Sequence, residues 1–258
     1  MNNTELKRIT NESCDKISND NPDFEYSSQP FKHFIVDNFF PEDLAEKCIR
    51  NFPKKDDEIW EVTNHDNIEV KQRTQWKSEF DIPDGISDVV RILNSSIFLK
   101  SMSSAMDIHK LLPDPYYTGG GLNVSYASGL LDVHVDGNYH DATGLDRRLN
   151  ALLYLNHDWN DEWGGHLGFY DEKGEECIKR IAPIFNRLVV FDTSDISFHG
   201  LPDPIQCPKD KSRMSIVLYY YTKEPRPTDQ VKFKKPHSAL WKKKSIKDKK
   251  GETYRKYT

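Results

Sequence analysis

The sequence predicts a mainly β fold with helices in its N-terminal part, and three observations carry that prediction. Over Pro41–Pro53 and again over Gly85–Ile108 apolar residues recur at helical spacing, every three or four positions; from Gly119 onward they recur every second position. The second part is cut into short runs by Gly, Asp, Asn and Pro, the spacing of a sandwich or barrel. At 258 residues and 36% hydrophobic, the chain can bury one sizeable core and still leave polar segments at its ends.

Residues 1–29, rich in Asn, Ser, Asp and Glu, read as a loose polar leader with at most one short helix. Phe31 to Phe40 reads as a strand. Pro41-Glu42-Asp43 opens a helix, with acids at the positive end of its dipole and Leu44, Ala45, Cys48, Ile49 and Phe52 on one face before Pro53. After a mixed segment holding Trp60 and Trp76, a second helix covers Gly85 to Asn94 and a third Ser96 to Ile108. The alternating part supplies strands at Leu122–Tyr126, Leu131–Val135, Leu149–Leu155, Gly165–Tyr170, Arg187–Phe191 and Met214–Tyr221. The domain expected is 30–222, helical over 30–115 and β over 116–222, followed by a C-terminal extension, 223–258.

Composition excludes several classes. No run approaches the roughly 20 apolar residues of a membrane span, and the N-terminus lacks the apolar stretch of a secretory signal. Four scattered cysteines, without CxxC, read as reduced thiols of a cytoplasmic protein. Thirteen basic residues against four acids give the extension about +9, leaving about −14 for the rest of a chain of net charge −5. Such a tail can touch nucleic acid or an acidic partner, but a solvated, partly disordered extension is the favoured reading. Gly119-Gly120-Gly121 lacks the spacing of a nucleotide cradle, and nothing in the pattern specifies an oligomeric state.

The chemistry-bearing stretch is Gly129 to Gly137. His134 and Asp136 are separated by one valine, so in a strand both project from one face while Val133 and Val135 project from the other. A third ligand must come from elsewhere, and His199, just after the run Leu188–Phe191, is the candidate. Two His and one carboxylate form the facial triad that leaves positions open on non-haem Fe(II). Arg213 and Ser215 share a face of the last strand, and a buried arginine suits a carboxylate gripped by its planar fork. Tyr126 and Tyr154 can offer hydroxyls to the same anion.

With these pieces in order, the sequence resembles the Fe(II)/2-oxoglutarate-dependent oxygenases and, within them, the prolyl-4-hydroxylase-like branch. The matching motifs are His134-Val135-Asp136, Tyr154-Leu155-Asn156 with Asp158-Trp159, Gly164-Gly165, Asn186-Arg187, His199-Gly200 and Arg213-Met214-Ser215. The resemblance covers roughly residues 31–222. It implies a double-stranded β-helix (jelly roll) core with helices packed on one sheet. It implies Fe(II) on His134, Asp136 and His199, and 2-oxoglutarate held by Arg213 and Tyr154, with Tyr126, Asn150 and Ser215 lining its pocket. O2 is the oxidant and ascorbate an accessory stimulant. The intact carboxylate of Asp136 implies hydroxylation rather than halogenation. The implied substrate is a prolyl or similar residue in a peptide or protein; the alternatives are a free amino acid, sugar or other small metabolite, or a non-catalytic β-sandwich binding module.

Other residues near the motifs have plainer readings. His109 reads as a helix-end or surface group, His140 as a surface histidine and His157 as structural, and His166 faces away from the cavity. Arg147 and Arg148 end a polar loop that either closes over a substrate or is a solvated turn. Trp159, Trp163 and Tyr219-Tyr220-Tyr221 read as packing.

Overall fold

The structure, a computed structural model, describes residues 1–65, 68–201 and 203–242. Helix α1 (Asn3–Asp15) is capped by Asn2, whose side chain accepts the Glu5 N–H. Strands β1 (Phe24–Ser27) and β2 (His33–Val36) form a hairpin that leads to α2 (Glu42–Arg50). A second hairpin, β3 (Trp60–His65) and β4 (Glu69–Thr74), precedes α3 (Asp84–Leu93), α4 (Ser96–Met106) and the short β5 (Leu112–Pro113).

Strands β6 (Gly121–Ser125), β7 (Leu130–Leu131), β8 (His134–Val135), β9 (Asp146–Tyr154) and β10 (Leu167–Tyr170) begin the jelly roll. It is completed by β11 (Cys177–Ile181), β12 (Arg187–Asp192), β13 (His199–Gly200) and β14 (Arg213–Thr222), and β15 (Leu240–Trp241) follows. The larger sheet runs β1-β2-β12-β9-β14-β6-β4-β3, with β5 beside β14 and β7 beside β4; the smaller runs β11-β10-β13-β8-β15.

Period-two alternation decides which side chain meets which layer. On β9, Leu149, Ala151 and Leu153 join the core beneath the helices, whereas Asn150, Leu152 and Tyr154 face the smaller sheet. Strand β12 splits likewise, with Leu188 and Val190 toward the helices and Val189 and Phe191 toward the smaller sheet. On β14, Ile216, Leu218 and Tyr220 lie helix-side, and Tyr220 donates its hydroxyl to the Leu93 carbonyl in α3. Each fully buried Leu, Ile, Val or Phe contributes roughly 1.5–3 kcal/mol, so the helical layer makes the large sheet a rigid floor and leaves its other face to the site.

Several expectations change. The leader is not loose: α1 buries Ile9 and Cys14 against the helical core. Its inner face is completed by Thr10 and Ser13, small polar residues that conceal the helical period. The strand expected over Leu131–Val135 breaks at Asp132 into β7, paired with β4, and β8, paired with β13, because the chain passes from one sheet to the other there. The β3–β4 hairpin and β11 are too polar to announce themselves as strands. Residues 223–242 of the extension are built into the fold through β15, Arg226 and His237; residues 243–258 lie outside the described residues. Among the described residues no helix is long and apolar enough to cross a membrane, and all four cysteines are free thiols.

The helical part is fastened to the jelly roll by Asn186. Its side chain accepts the Phe40 N–H at 3.0 Å and donates to the Phe40 carbonyl at 2.7 Å, both buried, and its φ is +58°. Next to it Arg187 grips Asp37 through two hydrogen bonds of 2.5 and 2.7 Å. Asn186→Ala leaves two buried backbone groups unpaired and puts a Cβ residue without side-chain compensation at positive φ. The expected loss is about 2–4 kcal/mol, read as a lower urea midpoint with an unchanged m value; a loss below about 1 kcal/mol means the clamp is redundant.

Candidate active site

His134 and His199 are register partners across the β8–β13 pair, and Asp136 follows β8 by one residue. This brings the imidazole centroids within 4.4 Å of each other. The ligating atoms of His134, Asp136 and His199 all lie within 4.8 Å of one another, the one such His/Cys/Asp/Glu group among the described residues. Each Nε2 is 3.6 Å from an Asp136 carboxylate oxygen.

The rings are aimed from behind. The Nδ1 of His134 contacts the Asp132 carbonyl at 2.9 Å and that of His199 the Ser197 carbonyl at 3.0 Å, so Nδ1 carries the proton and Nε2 offers its lone pair. Burial, joined by the neighbouring His134 ring, lowers the His199 pKa to about 4. Burial pushes the Asp136 carboxyl up, but His199, His134 and Arg147 together outweigh it and hold the group well below the usual carboxylate range. At neutral pH the site presents an ionised carboxylate beside an uncharged His199, the protonation state a divalent cation requires.

A cavity of about 1000 Å³ opens beside the triad. Arg213 lines it, 8% exposed, donating its Nε–H to the Gly165 carbonyl at 2.6 Å and an Nη2–H to the Tyr154 hydroxyl at 3.0 Å. Gly165 has φ +70°, and a Cβ there would lie 3.0 Å from the Trp159 ring and 3.3 Å from Arg213 Cδ, so the close approach needs glycine. Among the described residues no carboxylate pairs with Arg213. A buried guanidinium without a counter-anion is costly, and Asn123 Oδ1 and Asn150 Oδ1 are buried unpartnered in the same cavity. The guanidinium beside the triad fits an anionic cosubstrate chelated to a cation there, whereas the two amide oxygens are acceptors that call for a donor.

The structure brings His134, Asp136, His199, Arg213, Tyr154, Asn150 and Ser215 to this cavity or its wall. Asn150 has a different partner from the one expected: it donates to Asp136 Oδ2 at 2.6 Å and so orients a candidate metal ligand. Tyr126 is a correction. On β6, Asn123 and Ser125 face the cavity, which turns the next residue outward, and the Tyr126 ring packs under the Lys55 ammonium at 4.6 Å. Asn123, register partner of Ser215, stands where the sequence analysis had placed the tyrosine.

Arg147 stands in the cavity, its guanidinium 3.6 Å from the Tyr219 ring centroid and 3.7 Å from Asp136 Oδ1. The loop reading was therefore too exposed for Arg147, and the packing reading too inert for Tyr219. His140 is buried, bonded to Asp114 at 3.0 Å, rather than on the surface. His157 stacks on Phe185, and His166 pairs with Asp161.

Two outcomes follow from this geometry. His134→Ala abolishes tight divalent-cation binding in calorimetry, whereas unchanged affinity would remove the site. The metal-free protein loses stability as pH falls from 6.5 to about 4, because the unfolded chain protonates His199 at its ordinary value and the folded site resists until about 4. The His199 contribution, on the order of 3 kcal/mol, is complete above pH 6.5 and gone below the folded value. Urea titrations across that range, wild type against His199→Gln, measure it; identical slopes would refute the assignment.

Comparison with known proteins agrees with this construction. The sequence profile of the 2OG-Fe(II) oxygenase superfamily matches residues 121–221. The prolyl 3-hydroxylase OGFOD1 of Xenopus laevis is 24% identical over 224 residues; these are 81% of this chain and 39% of that protein, so the chain spans well under half the relative's length. A prolyl-4-hydroxylase from Pseudomonas putida superposes with a TM-score of 0.52 at 16% identity, covering 85% of this chain and 100% of that one. The Trichoplax adhaerens prolyl hydroxylase, solved with a hypoxia inducible factor oxygen degradation domain peptide fragment, superposes with the same TM-score and identity over 84% and 91%. The order of the motifs, the jelly roll and the His-Asp-His site beside a buried arginine agree with one another: residues 121–221 match the 2OG-Fe(II) oxygenase superfamily profile, and the fold of the chain is that of the prolyl hydroxylases it resembles.

Proposed function

We propose that the chain hydroxylates a prolyl or similar residue in a peptide or protein, consuming O2 and 2-oxoglutarate at Fe(II) and releasing succinate and CO2. The observation that carries this reading is one cavity holding both a His-Asp-His cation site and a buried arginine that no carboxylate among the described residues neutralises. Fe(II) with the bound keto acid supplies the O2 activation and C–H oxidation that side chains cannot perform.

The chain's own residues bind, orient and exclude water. His134, Asp136 and His199 would hold the cation, and Asn150 keeps Asp136 turned toward it. Arg213 would grip the far carboxylate of 2-oxoglutarate, with Tyr154 donating beside it and Ser215 and Asn123 lining the wall. Leu152, Leu167 and Phe191 keep that end apolar. The other end reaches the surface, where exposed Glu61, Val62, Asp141 and Ser238 form its rim. An open rim suits a chain-like substrate and weighs against a closed small-metabolite pocket. The prolyl 3-hydroxylase relative and the peptide-bound Trichoplax structure support the same substrate class.

The test is 2-oxoglutarate turnover against a panel of proline-containing peptides and small metabolites, with Fe(II) and ascorbate present and mass spectrometry reading a gain of one oxygen. Fragmentation and amino-acid analysis of the product assign the C3 or C4 position. Succinate release without any peptide product would overturn the substrate class. Arg213→Ala raises the half-saturating 2-oxoglutarate concentration by roughly 10- to 100-fold, and Arg213→Lys restores only part, because the ammonium lacks the planar fork.

A further inference from the structure

The segment between Thr222 and Lys242 enters the function proposed above only through Ser238 at the cavity rim, yet it reaches the candidate metal site. Strand β15 pairs antiparallel with β8, setting Trp241 opposite His134 and Leu240 opposite Val135. The indole of Trp241 stacks on the His134 imidazole, with ring centroids 4.5 Å apart and planes at 24°. Trp241 also lines the cavity, together with His237, Ser238 and Ala239.

The segment is fastened on both sides of the His-x-Asp motif. Before it, the Lys242 N–H donates to the Val133 carbonyl at 2.9 Å. After it, the Asn138 N–H donates to the His237 carbonyl at 3.1 Å, and the Asn138 side chain accepts the His237 N–H at 2.9 Å. Farther back, Asp195 accepts the N–H groups of Lys232 and Phe233 at 2.8 and 2.9 Å and contacts His237 Nε2 at 2.9 Å. Leu240 packs with Val135, Tyr170 and Phe198 in a small apolar cluster.

We infer that this segment is the outer support of the metal centre and that Trp241 is a positioning residue, holding the His134 ring in its ligating orientation. The inference rests on the oxygenase reading of the site. Strand β8 is two residues long and would be the edge of the smaller sheet without β15, too short to hold its own geometry. The one hydrogen bond to Nδ1 sets the tautomer of His134 but does not clamp the plane of its ring; the flat indole does. His199 has its own support, the edge of Phe191 at 4.8 Å. The basic composition of this stretch concealed the role, since its lysines stay at the surface while Leu240 and Trp241 turn inward. Supports of this kind are worth roughly 10- to 100-fold in metal affinity.

The test uses the full chain, stripped of metal and titrated with Co(II), reading affinity by calorimetry and tryptophan emission in parallel, with apo melting curves as the folding control. Trp241→Ala is expected to melt lower than the wild-type apo protein yet, measured at a temperature where both are fully folded, to bind Co(II) at least 10-fold more weakly, and Trp241→Phe to bind within about 3-fold of wild type. Bound Co(II) quenches emission in the wild type, and Trp241→Phe loses most of that quenching although it still binds metal. Wild-type Co(II) affinity in Trp241→Ala, or undiminished quenching in Trp241→Phe, overturns the inference. So does a loss of affinity that follows the melting temperature and is not rescued by phenylalanine. None of these readouts needs a peptide: failure here leaves the hydroxylase reading intact, and absence of hydroxylated product leaves these results standing.

Discussion

His134 and His199 face each other across one antiparallel pair, and two imidazoles 4.4 Å apart beside a carboxylate constrain much of what surrounds them. Such a cluster is costly to bury without a cation. Charging both rings would add repulsion to desolvation, so the fold keeps His199 neutral and donates to Asp136 from Asn150. Both Nδ1 positions are engaged by backbone carbonyls two residues upstream, a local device that lets a short strand present a ring in one tautomer. The cation site is therefore largely pre-organised by the chain itself.

The cosubstrate end follows the opposite logic. There the fold buries a cation, and among the described residues Arg213 is held by a carbonyl and a phenol, neither of which cancels its charge. Gly165 supplies that carbonyl because nothing larger fits between Trp159 and the arginine stem. A site short of one carboxylate at one end and of one metal ion at the other is complementary to a molecule that brings the first and chelates the second. Arg147, stacked on Tyr219 and close to Asp136, adds positive potential on the metal side without entering the ligand set.

The two sheets have unequal duties. The larger is stiffened by a helical layer on one face, so its cavity-facing residues stand on a floor that does not yield. The smaller carries the two candidate histidine ligands on strands of two residues, with Asp136 just past one of them, and depends on lateral pairing for its geometry, from β10 on one side and β15 on the other.

The sequence by itself determined the candidate ligand set, the arginine and the division into helical and β parts, because each is a local statement. A His-x-Asp pair on a strand shares a face whatever the topology, and period-two alternation separates Tyr154 from Leu153 without knowledge of the neighbouring layer. The same rule, applied strictly from Asn123, would have turned Tyr126 away from the cavity. What only the tertiary structure decided depends on distant partners. Arg147 looked like a loop residue until Tyr219 and Asp136 were beside it, and α1 looked loose because Thr10 and Ser13 carry no hydrophobic signal. Trp241 sat in a basic stretch whose pairing with β8 spans more than a hundred residues. Side-chain period is written into neighbouring residues, whereas cross-strand register between remote segments is fixed only when the whole chain packs.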